Sequence, residues 1–534
     1  MREVFRAHRR PLLLLTLLGV VHMWIYRLNA VDDSYIFYRY GRSLVEGFGL
    51  TFNPGQYVEG YTSPLWVFVS ACVHLFPLQD PHPLMQLIGG WCALVSVYLM
   101  YAVGRVLFRE QYASWSLLPP LLLLSSPGWA SYAMSGMETS LYVCLLSGAL
   151  LSLLQRGVGW RFGAWMGIAA LCRPETPYVL GMMLLLGWAW TYKRGEENAP
   201  TWSWTGALVS IAIVSAAWGG WIIFRFAYYG EWLPNTYFAK SLPFGLGIRL
   251  GLGYAIRYMY ATYFFSLICL GLLLLLRRWR LCMLGLCWLL CCLPTVRLGG
   301  DWMPFHRFFL HYAPFEVALW SVTLWALYDT LKLEQFIKPV VLVTGILVLL
   351  PSTHILPTFE RAEDINDNGV AIRTLYRSIG TFLRTQPNTR KVAVLDCGAI
   401  PYFARVPVID LAGLTDATIG KAPGIFHKKQ YDPMYVLSQK PDWILLHTHG
   451  PTMPTKPQST MNVRLPGGKT LVLKLNGKPF LPPHLMFATE RILYLHPHFQ
   501  SSYTHAKSVV IRRAGQRTTY AQHLFRRNSR RSPR

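Results

Sequence analysis

The amino-acid sequence predicts an α-helical polytopic membrane protein with a C-terminal α/β or α+β domain, and three observations carry that expectation. The 534 residues are 53% hydrophobic and only 14% charged, a balance foreign to soluble enzymes. Apolar stretches approaching the ~20 residues needed to cross a hydrocarbon core recur through the first two thirds, from Pro11–Tyr26 to Val340–Leu350. Basic clusters at Arg105/Arg109, Arg156/Arg161, Lys193/Arg194, Arg277/Arg278/Arg280 and Lys332/Lys338 fall between these stretches, where the positive-inside rule puts cytoplasmic loops. Much of the net charge of +25 is therefore topological and does not argue for a nucleic-acid partner.

In chain order, Arg2, Arg6, Arg9 and Arg10 precede a leucine run that reads as an uncleaved first helix rather than a removed signal peptide. Spans are expected near residues 11–28, 84–104, 117–134, 138–155, 160–173, 176–192, 205–228, 257–276, 281–297, 310–330 and 338–353, about eleven in all. An odd count starting inside places the chain after residue 355 on the same outer side as the first loop, residues 29–63. Pro64–Phe76 is apolar but too short to span and reads as an embedded or re-entrant element. Residues 1–355 thus form the membrane module and 356–511 a soluble domain. That domain has strand-like runs at 391–395, 406–411, 443–447 and 469–475 and a helical pattern at 372–385. The stretch 512–534 holds eight arginines and no acid, and reads as a basic disordered tail that touches anionic lipid headgroups. Nine of ten cysteines lie in or beside apolar segments as packing residues, and Cys397 alone cannot staple the domain.

Acids of the membrane half gather at the outer ends of spans: Asp32, Asp33, Glu46, Glu59, Glu138, Glu175, Glu231 and Asp301. Charges are costly near hydrocarbon, so their convergence predicts one watered site. Asp32 and Asp33 stand just above the first span. One of them suits the N-cap of a helix beginning at Ser34, whose Ile36, Tyr40 and Leu44 share a face while Arg39 and Arg42 point to water. Two adjacent carboxylates exceed what a cap needs. Their repulsion raises one proton affinity or recruits a cation, which suits a general base or a divalent-metal ligand. Trp66 reads as an interfacial anchor. The spacing of His306 and His311 is unconvincing for a metal, and His447 and His449 lack further ligands nearby.

The first-loop run Asp32–Trp66 resembles the signature of the GT-C superfamily of membrane glycosyltransferases. So do Arg-Pro-Glu at 173–175, Leu-Pro-Asn-Thr-Tyr-Phe-Ala-Lys at 233–240, Gly-Gly-Asp-Trp-Met-Pro at 299–304, and the tract from Asp396 to Leu414. Most of the chain is similar to a bacterial subgroup that includes terminal arabinofuranosyltransferases. The resemblance implies an inner-membrane enzyme that transfers a sugar from a polyprenyl phosphate to a hydroxyl of an envelope glycan, glycolipid or exported protein, without a nucleotide cofactor. Arabinofuranose is the first expectation for the sugar; a hexose or aminosugar on another polyprenyl phosphate, or a lipid-linked-glycan flippase, are the alternatives. Inverting displacement makes an aspartate of the pair the base. It also asks for cations at the departing phosphate, for which Arg39, Arg173, Lys240 and Arg307 are candidates. Glu59, Tyr61, Glu175, Asn235, Asp301, Asp396, Tyr402 and Asp410 are candidates for sugar or acceptor contacts. Each has a structural alternative as a helix-end, turn or ion-pair residue.

Overall fold

Apolar composition makes the membrane helices, and turn chemistry decides where they break. A computed structural model describes residues 9–108, 110–191, 202–332, 355–450, 460–464, 470–474, 487–511 and 519–528. Helices Arg9–Ile25, His82–Leu107, Thr139–Arg156, Trp160–Cys172, Thr176–Thr191, Trp204–Tyr229, Trp279–Leu298 and Ala313–Thr330 fall on expected spans. By length and composition, four of the described helices suffice to cross a membrane: His82–Leu107, Thr139–Arg156, Trp204–Tyr229 and Trp279–Leu298. The pair Phe244–Ala261 and Phe265–Leu275, bent by 77°, adds a fifth if counted as one span.

The differences from eleven spans have local causes. Residues 117–134 split into Leu118–Leu124 and Pro127–Ala133. Pro127 brings no N–H to continue the first helix, and the Ser126 hydroxyl caps the second by accepting from the Trp129 amide at 3.4 Å. The expected span 257–276 begins earlier, at Phe244, and breaks where Tyr263 and Phe264 take left-handed φ of 51° and 56°. Pro64–His74 is an 11-residue helix capped by Ser63, too short to cross. The expected span 338–353 lies outside the described residues.

Helix Ile355–Ala371 runs through a π-helical turn, Ile372–Tyr376, into Arg377–Thr385. The strands of the C-terminal domain are β1 (Val392–Val394), β2 (Val408–Asp410), β3 (Trp443–Gly450), β4 (Thr460–Arg464), β5 (Thr470–Lys474), β6 (Tyr503–Ile511) and β7 (Thr519–Arg527). A mixed five-stranded sheet has the order β2-β1-β3-β7-β6; β1 is parallel to β2 and β3, and β7 is antiparallel to β3 and β6. β4 and β5 form a separate hairpin. The tail expectation is corrected here: Thr519–Arg527 is an inner strand of the sheet. Its basic end masks an alternation in which Gln522 and Leu524 share one face while Ala521, His523 and Phe525 share the other.

The domain packs directly on the first loop. One buried cluster joins Tyr35, Tyr38, Tyr40 and Trp66 to Ile379, Ile400, Trp443 and Leu524. Trp66, expected at a lipid interface, is fully buried, and its indole donates to the Gly136 carbonyl at 2.8 Å.

Candidate active site at the domain seam

The amphipathic helix Ser34–Val45 forms the floor of the seam, and the C-terminal domain covers the face expected to meet water. Arg39 is buried. Its guanidinium donates to the carbonyls of Phe52 (2.8 Å), Pro401 (2.6 Å) and Val406 (2.7 Å) and to Asn53 Oδ1 (3.1 Å). Four of its five N–H donors are engaged by protein oxygens, so the structure makes Arg39 a strut between loop and domain, not a phosphate fork. Arg42 likewise donates to the Tyr402 carbonyl at 2.9 Å and lies over its ring.

Several other expected contacts are spent on the same docking. The Asn235 amide donates to the carbonyls of Gly413 (2.9 Å) and Leu414 (2.8 Å). Glu59 is ion-paired to Arg225 and accepts from the Trp221 indole at 3.1 Å. The Tyr61 hydroxyl meets that of Tyr229 at 2.9 Å, and the Tyr402 hydroxyl meets His74 Nε2 at 3.0 Å. Asp410 is fully buried and accepts from the amides of Ala412, Gly413 and Thr415; burial pushes its carboxyl up to about 6 against the pull of those amides. These side chains, expected at substrate, hold the two modules together because the loops and the domain must satisfy each other's polar groups away from water.

The acid pair behaves differently. Neither aspartate caps the helix at Ser34 through its side chain. Asp32 instead reaches the C-terminal domain: Oδ2 accepts from the Gly398 amide at 3.0 Å and Oδ1 from the Ala399 amide at 2.8 Å, at the start of helix Ala399–Ala404. Position 398 has to be glycine, because a Cβ there would lie 2.0 Å from the Asp32 carbonyl oxygen. Burial raises the Asp32 carboxyl well above the ordinary range, and the charges of Asp396 and Asp33 add to it, while the two amides oppose. Asp33 is 25% exposed and lies 3.9 Å from Lys240 Nζ, itself 41% exposed. Lys240 ends the short helix Asn235–Lys240. Asp396 enters the seam from the end of β1, so first loop, residue 240 and domain converge here.

Arg173 and Arg307 belong to a second cluster. Arg173 lies 2.9 Å from both Glu138 Oε1 and Glu175 Oε1. Arg307 Nε is 2.7 Å from Asp301 Oδ2, an ion pair by distance whose N–H is off the hydrogen-bond axis. The ring of Phe308 lies under both guanidinium groups, and His311 Nδ1 is 3.9 Å from Glu175. Three carboxylates thus face two arginines, leaving no surplus positive charge for a phosphate. Among the described residues, the ion pairs of this cluster share no residue with the Asp33–Lys240 pair of the seam. Arg225 and Glu490 carry no site motif and His447 reads in the sequence only as an unconvincing metal ligand; the one signal is Arg225, a lone charge in an otherwise apolar span.

Asp32 and Asp33 were the expected ligands of a divalent cation. Among the described residues no group of three or more His, Cys, Asp or Glu side chains is placed to hold a metal ion, and no step below is routed through one.

A helical module whose first loop is roofed by a C-terminal mixed-sheet domain is a fold shared with a solved oligosaccharyltransferase. The chain superposes on the oligosaccharyltransferase of Archaeoglobus fulgidus in its apo form with a TM-score of 0.52 at 12% identity, covering 93% of this chain and 79% of that one. The same enzyme tethered to an acceptor peptide gives 0.50 at 13% identity, with the same coverage. In sequence, the chain is 30% identical over 244 residues to a terminal beta-(1->2)-arabinofuranosyltransferase of Corynebacterium glutamicum, covering 39% of this chain and 33% of that protein. It is 27% identical over 232 residues to the protein of the same name from Mycobacterium tuberculosis, covering 39% and 34%. The chain thus spans about a third of the length of the curated relatives it matches. A family model described as a domain of unknown function (DUF8728) matches residues 365–521, which include Asp396, Asp410, His447 and Glu490.

Proposed function

We propose that the chain is an inverting glycosyltransferase that moves a sugar, arabinofuranose first, from a polyprenyl phosphate to a hydroxyl of an envelope glycan, glycolipid or exported protein. The observation that carries this reading is the Asp32 carboxylate, half-buried at the seam, fixed by two backbone amides and raised in proton affinity. A carboxylate held in this orientation, with its proton affinity raised by its surroundings, suits acceptance of a hydroxyl proton. The acceptor oxygen attacks the anomeric carbon as its proton passes to Asp32, and the bond from that carbon to the phosphate oxygen breaks on the opposite face. Polyprenyl phosphate leaves with the electron pair. Lys240, half-exposed beside Asp33, is the cation of the seam best placed to meet the developing phosphate charge. Sidedness follows from the basic clusters: the seam faces away from the cytoplasm in a bacterial inner membrane.

The sugar assignment rests on likeness to the two arabinofuranosyltransferases. The experiment is transfer by the purified full chain from a synthetic polyprenyl phosphate arabinofuranose, with hexose and aminosugar donors as competitors. Asp32→Asn is expected to lose about 10²–10⁴-fold in rate and Asp33→Asn less. Undiminished transfer by both variants overturns the assignment, and preference for another donor moves the sugar.

A further inference from the structure

Behind Asp396 a line of charges runs into the interior of the C-terminal domain. Asp396 Oδ2 accepts from the Tyr376 hydroxyl, from His447 Nε2 at 2.8 Å and from the Gln522 side-chain amide at 2.9 Å. Tyr376 is presented by the π-helical turn Ile372–Tyr376, a local departure from α-geometry of a kind often found at functional sites. His447 and Gln522 face the same way because they are direct partners across β3 and β7. On its other side His447 Nδ1 lies 2.6 Å from Glu490 Oε1, which also accepts from the His447 backbone amide at 2.9 Å. The side chains of His447 and Glu490 are fully buried, whereas that of Asp396 keeps 19% exposure at the seam.

Carboxylates on both sides bias the charge state of this ring. A neutral imidazole carries one N–H and one lone pair, and the lone pair would here face a carboxylate oxygen. The Gln522 side-chain nitrogen also lies against Nε2, but a carboxylate against each nitrogen makes the imidazolium, with both N–H groups donating, the favoured state. We propose that His447, held as an imidazolium between Glu490 and Asp396, is a positioning residue that keeps Asp396 ionised and aimed into the seam, where it accepts a hydrogen bond from a substrate sugar hydroxyl. The hydroxyl rests on the transferase reading; the charge does not. Burial alone would push the imidazole down, but the charges of Asp396 and Glu490 raise it to about 10. Among the described residues, the titratable groups around the array include Tyr376, Glu490, Tyr431 beside Glu490, Asp32 and Asp33 from the first loop, and His523 on the other face of β7. Burial, with the charges of His505 and His447, pushes His523 down to about 3.

Two measurements on the full chain in nanodiscs test this. Histidine-labelled NMR, assigned with His447→Gln, is expected to show the His447 ring charged at neutral pH with a midpoint near 10. That midpoint is expected to fall in Glu490→Gln and in Asp396→Asn. A ring that is neutral at neutral pH overturns the inference whether or not the chain transfers sugar. In transfer assays with a polyprenyl phosphate sugar, His447→Gln keeps a donor to Asp396 but loses the charge. The expected result is an acceptor KM raised at least about tenfold with kcat little changed. The acidic limb of kcat/KM is expected to move toward neutral pH, because Asp396 then protonates more readily. Asp396→Asn, a change of similar shape, is expected to show the same KM without that limb and covers the case in which His447→Gln does not fold. Wild-type KM and an unmoved limb in an active His447→Gln chain would show that only packing is at stake and overturn the proposal. Absence of transfer by the wild type sinks the transferase reading, and the ring titration still decides the charge.

Discussion

The seam around Asp32 and the cluster around Arg173 both gather charges that the sequence sets at helix ends, yet they do opposite things with them. At the seam, Asp32 lies beside Asp33 and Asp396, and Lys240 approaches Asp33 no nearer than 3.9 Å. At the cluster, Arg173 and Arg307 contact Glu138, Glu175 and Asp301 at 2.7–2.9 Å and are themselves buried. Close pairing removes a charge from chemistry because its field is spent on a fixed partner; loose pairing leaves it available to a ligand. Residue type alone, Arg against Lys, would have favoured the arginines as phosphate ligands. Pairing reverses that ranking.

Breaking the cluster is expected to have the largest effect on stability. Arg173→Met strands the buried Glu138 and the half-buried Glu175, and a loss of about 3–5 kcal/mol is expected in thermal unfolding of the detergent-solubilised chain. A raised donor KM with stability unchanged would mean that Arg173 holds phosphate after all. Next comes Gly398→Ala, whose added methyl collides with backbone at Asp32. It is expected to cost about 1–3 kcal/mol and to remove most of the transfer rate, by pushing the base off its two amides. Lys240→Met should then act on substrate rather than on stability, with the donor KM rising about tenfold and unfolding unchanged. An unchanged donor KM removes Lys240 from the phosphate site. Smallest is Lys421→Ala: its pair with Glu231 bridges the modules but is exposed, so unfolding should move by less than about 0.5 kcal/mol.

Legibility differed in the same way between membrane module and domain. Most spans could be read because apolar length is a local property, and Ser34–Val45 and β1–β3 could be read from local periodicity. The inner strand β7 was hidden, since Arg526 and Arg527 give it the composition of a tail although its alternation fits a sheet. Among site candidates, Asp32, Asp33, Lys240 and Asp396 lie at the seam. Arg39, Glu59, Tyr61, Asn235, Tyr402 and Asp410 instead fasten loop to domain, because buried polar groups must find partners and the nearest lie on the opposing module. Glu490 and His447 carried no motif; they stand 43 residues apart and meet only because β3 passes beside helix Ala488–Tyr494.

The sequence by itself determined the class of molecule: apolar length and basic loops fix a helical membrane module, and the Asp32-Asp33 pair marks its first loop. Only the tertiary structure decided which charges remain available. Whether a carboxylate is a cap, a counter-ion or a base depends on the distance to groups hundreds of residues away, and neither composition nor spacing encodes that distance. Asp32 is the clearest case, because the amides that fix it, Gly398 and Ala399, come from a domain that folds over it from the far end of the chain.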